Sequence, residues 1–220
     1  MSARIAVLIS GRGRNLQALI AACAERHVDG EIVVVVSNRA DAAGLAYARV
    51  AGIVTVVVAH RDYPDRAAYD AALAAVLEAH RADLVVLAGF MRILTAGFVS
   101  RYRGRLINIH PSLLPRHPGL DTHRRALEAG DAEHGATVHF VTEEVDAGPA
   151  IIQGKLKVHP EDTAETLADR VLQEIEVRIY PQAVAWLVRG EVTLEGRAVR
   201  FRGHIMNTPP GLEALEAPFR

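Results

Sequence analysis

The sequence predicts an α/β protein built on a doubly wound, mostly parallel sheet, with antiparallel additions in the C-terminal part. Two observations lead to this prediction. Short continuous apolar runs, typical of strands buried on both faces, alternate with helical spacing through the first 110 residues. After about residue 120 the rhythm changes to alternating apolar and polar residues, which indicates antiparallel strands.

The first half of the chain predicts five buried strands separated by three helices. The strands are expected at residues 5–9, 32–36, 54–58, 84–87 and 106–109, and the helices at residues 15–25, 41–51 and 66–80. Ligands of doubly wound folds bind beyond the carboxyl ends of the strands. Residues 10–15, 88–94 and 108–118 lie at such ends, so we expect ligand-binding and catalytic residues there.

The second half predicts two paired strands, a long helix and a terminal hairpin. Their expected positions are residues 136–142, 149–158, 163–187, 192–194 and 197–201. Residues 203–220 contain two consecutive prolines and little periodicity, so we expect a loose tail there. No linker or internal repeat divides residues 1–202, which we predict to form a single domain.

The composition bounds the classes of function. The chain has 220 residues, 50% of them hydrophobic, and its 25 basic and 26 acidic residues leave a net charge of -1. Such a balance produces no global attraction to nucleic acid or membranes. The single cysteine excludes an internal disulfide, and we expect neither a signal peptide nor a membrane-spanning segment. These observations favour a cytoplasmic protein with small-molecule partners.

The turn that joins the first strand to the first helix is rich in glycine and arginine. It reads Ser10-Gly11-Arg12-Gly13-Arg14-Asn15. Glycines let the backbone approach a ligand, and a helix N-terminus presents N–H groups to an anion. The turn therefore suggests a phosphate site, although the third glycine of the dinucleotide fingerprint is missing. The alternative is a tight turn in which Asn15 caps the helix.

An amide, an imidazole and a later carboxylate form the most informative pattern. Asn108 and His110 alternate at the end of the fifth predicted strand and therefore lie on one face. Their N–H groups could stabilise an oxyanion, and Asp146, in a Gly/Pro-rich loop, could orient the imidazole or assist proton transfer. The alternative is structural: Asn108 satisfies a loop, His110 packs beneath Pro111, and Asp146 is an ordinary turn residue.

Other catalytic arrangements have weaker support. The chain lacks a Gly-x-Ser-x-Gly motif, and Cys23 lies within a predicted helix, so no nucleophile stands out. His117 and His123 flank Asp121, but no other cluster has metal-ligand spacing, so we expect no metal site.

An ordered series of short motifs extends over roughly residues 4–190. The segments are Ile9-Ser10-Gly11-x-Gly13-x-Asn15-Leu16-Gln17, Ser37-Asn38, Ala88-Gly89-Phe90-Met91-Arg92-Ile93-Leu94, residues 108–115, Pro118-Gly119, Glu133-His134-Gly135, Val138-His139-Phe140 and Asp146-x-Gly148-Pro149. As an ordered set they are highly specific. The chain resembles the folate-dependent phosphoribosylglycinamide formyltransferases of purine biosynthesis, and the resemblance implies their Rossmann-like fold.

The resemblance implies direct attack of the phosphoribosylglycinamide amine on the formyl group of 10-formyltetrahydrofolate, a co-substrate, without a metal. Phosphate and folate would bind in the N-terminal and C-terminal halves of the domain respectively, and the enzyme would be a monomer or homodimer. The implied catalytic residues are Asn108, His110 and Asp146. The implied phosphate and ribose contacts are Gly13, Arg14, Asn15, Gln173 and Glu176. The implied folate contacts are Arg66, Met91, Arg92, Ile93, Leu94 and Asn108.

The chain departs from the family at two positions, and related families remain as alternatives. The family usually has serine where Arg14 stands and often histidine where Val177 stands. Methionyl-tRNA formyltransferases usually carry a larger C-terminal domain, while formyltetrahydrofolate hydrolases tend to have a second histidine in place of Pro111 and an N-terminal regulatory domain. A formyltransferase acting on another amine and a non-catalytic nucleotide-binding domain are the other hypotheses. We expect residues 141–148 to close over the folate.

Overall fold

The computed structural model describes residues 2–220, which divide after Asn108 into two compact units. The first unit contains a parallel sheet with the strand order β3-β2-β1-β4-β5. Its strands are β1 (Ala3–Ile9), β2 (Gly30–Ser37), β3 (Thr55–Val57), β4 (Leu84–Leu87) and β5 (Leu106–His110). The predicted buried parallel strands are thereby confirmed.

The central strand β1 lies between β2 and β4, and the side chains at this centre are apolar. Val7 pairs with Val35 on one side and with Val86 on the other, and all three side chains are fully buried. Four helices accompany the strands of this unit. They are α1 (Arg14–Ala24), α2 (Gly44–Val50), α3 (Arg66–Ala79) and α4 (Ala96–Arg101).

Two of these helices differ from the sequence prediction. Helix α2 begins three residues later than expected, and α4 was not predicted. A helix of six residues is too short for its periodicity to stand out, and α4 depends instead on Thr95, whose side chain accepts from the Phe98 N–H at 3.4 Å. The helix α1 carries Cys23, which is partly buried, and burial raises the pKa of its thiol to about 11.

The second unit begins at Ile109, within β5, and its strand order continues as β5-β6-β7. The strands β6 (Glu133–Phe140) and β7 (Ala150–Lys157) pair antiparallel, with a register shift between Val138 and His139. This pair confirms the predicted antiparallel addition. The short helix α5 (Thr122–Glu128) precedes β6 and was not predicted.

The predicted long helix consists of three consecutive helical segments. The helix α6 (Ala164–Val171) starts with a capping box formed by Thr163 and Thr166. A π-helical turn, Leu172–Glu176, leads directly into α7 (Val177–Val188). Within residues 2–220, none of the helices combines the length and the apolar character that crossing a membrane requires.

A small antiparallel sheet follows, formed by β8 (Val192–Glu195), β9 (Ala198–Phe201) and β10 (His204–Ile205). Its first two strands confirm the predicted hairpin. Residues 203–220, expected to be a loose tail, are structured instead: Leu215 and Phe219 are buried. The backbone N–H of Gln153 donates to the Pro210 carbonyl at 3.0 Å. Isolated anchors of this kind leave no periodic pattern in a sequence. The single domain expected over residues 1–202 stays a prediction.

Candidate active site

In the first unit, a left-handed glycine turns the chain from β1 into α1. Gly13 has φ 74° and ψ 30° and is the N-cap, so the predicted alternative, in which Asn15 caps the helix, is wrong. A Cβ at Gly13 would lie 2.6 Å from the Cα of Gly44, which leaves room for glycine alone. Arg14 opens α1 with an exposed side chain, and Asn15 follows it. The N–H groups of this first turn are therefore aimed at one small region.

The loop after β4 presents an apolar surface at the carboxyl end of the sheet. Met91 and Ile93 are 65% and 57% exposed, while Leu94 is buried. Arg92 places its guanidinium 5.9 Å from the centre of the Tyr69 ring on α3. Arg66 is the first residue of the same helix and is exposed.

Ser10 connects this loop to the turn after β1. Its hydroxyl accepts from the Met91 N–H at 2.8 Å and donates to Asn38 Oδ1 at 2.6 Å. The ends of β1, β2 and β4 are thereby joined through one side chain. In the sequence Ser10 and Asn38 stand out only as parts of motifs, because a hydrogen bond between residues 81 positions apart leaves no local pattern.

The strand β5 carries both Asn108 and His110, two residues apart, and His110 is buried at its end. His110 pairs with Asp146 in the second unit: Nδ1 lies 3.3 Å from Asp146 Oδ2, and the two side chains are only 7% and 11% exposed. The other ring nitrogen, Nε2, lies 2.9 Å from the carbonyl oxygen of His117. The predicted association of His110 with Asp146 is thus observed.

The two partners of His110 favour the protonated form of its ring over the neutral form. A carboxylate and a carbonyl only accept hydrogen bonds, so the imidazolium, with two N–H donors, satisfies both at once, whereas the neutral ring satisfies one. A cationic ring held at the end of a strand is suited to stabilising, through its charge, a negative charge that develops on a substrate oxygen.

The carboxylate of Asp146 is held from two further directions. Its Oδ2 accepts from the Gly119 N–H at 2.9 Å, and its Oδ1 lies 3.7 Å from Nε2 of His139. Burial lowers the pKa of His139, partly offset by its contacts with the Phe140 carbonyl and Asp146. The backbone of Asp146 is left-handed, with φ 54°. A Cβ on Gly148 would collide with the Phe140 carbonyl oxygen, so this loop requires glycine there.

A second group of histidines lies in the same unit. His117 Nε2 is 2.8 Å from Asp131 Oδ2, and His134 Nε2 is 3.1 Å from His123 Nδ1. Burial, with smaller effects from His123 and His117, lowers the pKa of His134 to about 4. Burial also lowers the pKa of His123. In the part of the chain that the structure describes, no group of three or more His, Cys, Asp or Glu is arranged to hold a metal ion.

The residues expected at the sugar lie together on the π-helical turn. Gln173 is exposed and Glu176 is buried. Buried Tyr180 follows on α7, where burial and the nearby Glu176 raise its pKa well above its ordinary value. Single π-helical turns are frequent at functional sites because they change the direction of side chains along a helix.

Comparison with known proteins identifies the family. A profile described as formyl transferase matches residues 3–184. The chain belongs to the formyl transferase family. Membership implies an enzyme that takes its formyl group from a folate-type donor and acts on small molecules.

The similar proteins have consistent names. Over 212 residues the chain is 49% identical to phosphoribosylglycinamide formyltransferase of Escherichia coli, covering 96% of this chain and 99% of that protein. It is 48% identical to part of the human trifunctional purine biosynthetic protein adenosine-3, covering 87% of this chain and 19% of that protein. The solved structure of phosphoribosylglycinamide formyltransferase from Coxiella burnetii superposes with a TM-score of 0.91 at 45% identity, covering 96% of this chain and 99% of that one.

Proposed function

We propose that this formyltransferase moves the formyl group of 10-formyltetrahydrofolate to the amine of 5'-phosphoribosylglycinamide. The products are formylglycinamide ribonucleotide and tetrahydrofolate, and the step belongs to purine biosynthesis. The observation that supports this most directly is the buried pair of His110 and Asp146, whose Nδ1 and Oδ2 atoms are 3.3 Å apart. His110 lies two residues after Asn108 on the same strand.

The chemistry needs oxyanion donors and a proton route. The amine nitrogen attacks the formyl carbon, and the carbonyl oxygen becomes negatively charged in a tetrahedral intermediate. The Asn108 amide donates to that oxygen, and one such donor contributes about 10²- to 10³-fold. The positive charge of the His110 imidazolium, whose two N–H groups face Asp146 and the His117 carbonyl, stabilises the same oxygen electrostatically. The bond from carbon to N10 of the folate then breaks. The proton lost by the amine reaches N10, and Asp146 assists this transfer through water.

The substrate phosphate binds at the turn of Gly13, Arg14 and Asn15, where helix N–H groups and an exposed guanidinium supply positive charge. Gln173 and Glu176 contact the ribose. The folate binds along Met91, Arg92, Ile93 and Leu94, whose apolar side chains and backbone groups suit a fused ring. Arg66 pairs with the folate carboxylates, and Asn108 contacts the donor as well as the reacting oxygen.

Four further features belong to this proposal. The enzyme acts without a metal and works in the cytoplasm, a compartment that suits its free cysteine. It is a monomer or a homodimer. The segment from Val141 to Gly148, which carries Asp146, closes over the bound folate.

The first experiment mixes the purified protein with 10-formyltetrahydrofolate and follows the folate absorbance with and without phosphoribosylglycinamide. Turnover that requires the amine supports the proposal. Turnover without the amine indicates a hydrolase, and no turnover with bound folate indicates a different acceptor.

The variant His110→Ala connects this activity to the observed pair. We expect a fall in kcat of at least about 10³-fold, since both oxyanion stabilisation and the contact with Asp146 are lost. Circular dichroism checks that the fold is intact. A folded variant with near-wild-type kcat would contradict the assigned role.

A further inference from the structure

A four-residue segment, Arg116 to Gly119, contacts both members of the His110–Asp146 pair. The carbonyl of His117 accepts from His110 Nε2 at 2.9 Å, and the N–H of Gly119 donates to Asp146 Oδ2 at 2.9 Å. Both contacts are made by the backbone. The positions of the imidazole and the carboxylate therefore depend on where this segment lies, and no side chain of the segment is needed for that.

The segment adopts a backbone conformation that needs support. His117 has φ 52°, a left-handed conformation that costs a non-glycine residue about 1 kcal/mol or more. Such a conformation persists only when surrounding contacts hold it. The contacts on the side away from the catalytic pair therefore determine whether the carbonyl of His117 keeps facing His110.

Asp131 supplies those contacts. Its side chain is only 3% exposed, and its two oxygens bind neighbouring residues of the segment. Oδ1 forms an ion pair with Arg116, and Oδ2 lies 2.8 Å from Nε2 of His117. The carbonyl of Arg116 also accepts from the Ser112 hydroxyl at 2.7 Å. A buried carboxylate with two adjacent partners restricts both of them, because leaving it unpaired is costly.

We propose that Asp131 is a positioning residue for the formyl transfer, acting through His117 and its carbonyl on His110. The inference rests on the proposed function but touches a residue that lies outside the catalytic and binding sets. Asp131 contacts neither substrate in this scheme. It keeps the cationic imidazole near the developing oxyanion and keeps Asp146 beside the ring.

The test compares Asp131→Asn with a matched control. Asparagine keeps the size of the side chain but removes the charge that binds Arg116. Misplacing a catalytic group by about 1 Å costs on the order of 10²-fold, so we expect kcat to fall about 10- to 100-fold. The KM values of both substrates are expected to stay within about twofold, because neither binding surface is altered.

Asp162→Asn is the control because it removes a similar ion pair from the same unit. Asp162 is 5% exposed and lies 2.6 Å from Arg170, and it accepts from the His159 N–H at 2.8 Å. None of these partners belongs to the catalytic pair. We expect this variant to lose thermal stability comparable to that of Asp131→Asn while keeping its kcat.

A double-mutant cycle with His117→Ala separates positioning from general stability. This change keeps the backbone carbonyl but removes the ring that Asp131 holds. The double variant is expected to be no slower than Asp131→Asn alone, since both changes release the same segment.

Three results would overturn the proposal: a kcat for Asp131→Asn equal to that of the control, fold losses that multiply in the double variant, or an unchanged kcat in His117→Ala. The last result decides alone if Asp131→Asn does not fold. The wild-type assay is carried out first, so failure of the proposed reaction is distinguished from failure of the positioning role.

Discussion

The carboxylate of Asp146 lies beside His110 and is itself held by a backbone N–H group. It orients His110 from 3.3 Å and is itself fixed by the Gly119 N–H. We expect Asp146→Asn to lower kcat about 10²- to 10⁴-fold, the range of general acid–base effects, with KM values changed only a few-fold. Steady-state kinetics measure both. Glu144→Gln, an exposed carboxylate of the same loop, is the control and keeps its activity. Unchanged kinetics in Asp146→Asn would leave Asp146 as a turn residue.

Arg14 is the first residue of α1, and its side chain is exposed. A guanidinium beside the N-terminal N–H groups adds a charge-assisted contact to a phosphate. We therefore expect Arg14→Ser to raise the KM for phosphoribosylglycinamide about 10-fold with little change in kcat. The KM of this variant is also expected to depend less on salt concentration than that of the wild type. Arg197→Ser removes the same charge from an exposed hairpin and serves as the control. An equal KM in both variants would contradict a phosphate contact.

The loop from Phe140 to Gly148 shows how one element holds a side chain in place. A Cβ on Gly148 would collide with the Phe140 carbonyl, so Gly148→Ala has to displace the strand end or the loop that carries Asp146. We expect kcat to fall about 10-fold or more, with a loss of stability of about 1–3 kcal/mol. Gly97→Ala is the control, because a Cβ there meets no atom within 4 Å. It is expected to be neutral or to stabilise α4 by about 0.5–1 kcal/mol. Similar kinetics in the two variants would argue against the collision.

Long, regular elements were predictable because burial leaves a period in the sequence. The run of valines in β2 and the apolar face of α3 fall where the pattern places them. The π-helical turn was not predictable, since its residues continue the helical period of α6 and α7. The helices α4 and α5, with six and seven residues, are too short for their periodicity to be decisive.

The residues proposed for the active site followed the same rule. Asn108 and His110 were predictable because alternation at a strand end is local, and Gly13 because its turn is local. The support of His110 by His117 and of His117 by Asp131 joins residues 7 and 14 positions apart through a left-handed backbone. Such contacts arise only when the chain is folded, so no pattern of residue types announces them.

The stability of the whole molecule should depend on acidity through its buried histidines. The pKa of folded His134 is about 4, lowered mainly by burial, whereas an unfolded histidine has a pKa of about 6.5. Between these values the unfolded chain binds the proton more readily. The stabilising contribution is therefore complete above pH 6.5 and is lost as the pH falls towards 4, with a total of about 3 kcal/mol. His123, whose pKa is also lowered by burial, adds to the loss.

The free energy of unfolding in urea, measured from pH 7 to pH 4.5, checks this dependence. His134→Gln removes the titrating ring, so its stability is expected to fall less steeply on acidification than that of the wild type. His204→Gln, at an exposed strand end, is expected to keep the wild-type slope. Parallel curves for all three proteins would show that His134 does not contribute.

The thiol of Cys23 has a practical consequence for measuring the proposed closure of residues 141–148. With a pKa of about 11, Cys23 is ionised in only about one molecule in a thousand at pH 8, and the thiolate is the form that maleimides and iodoacetamides attack. A cysteine introduced at an exposed position, such as Val145 in the loop proposed to close, would react far faster. A Val145→Cys variant can therefore be labelled with a single fluorophore at this position while it keeps Cys23.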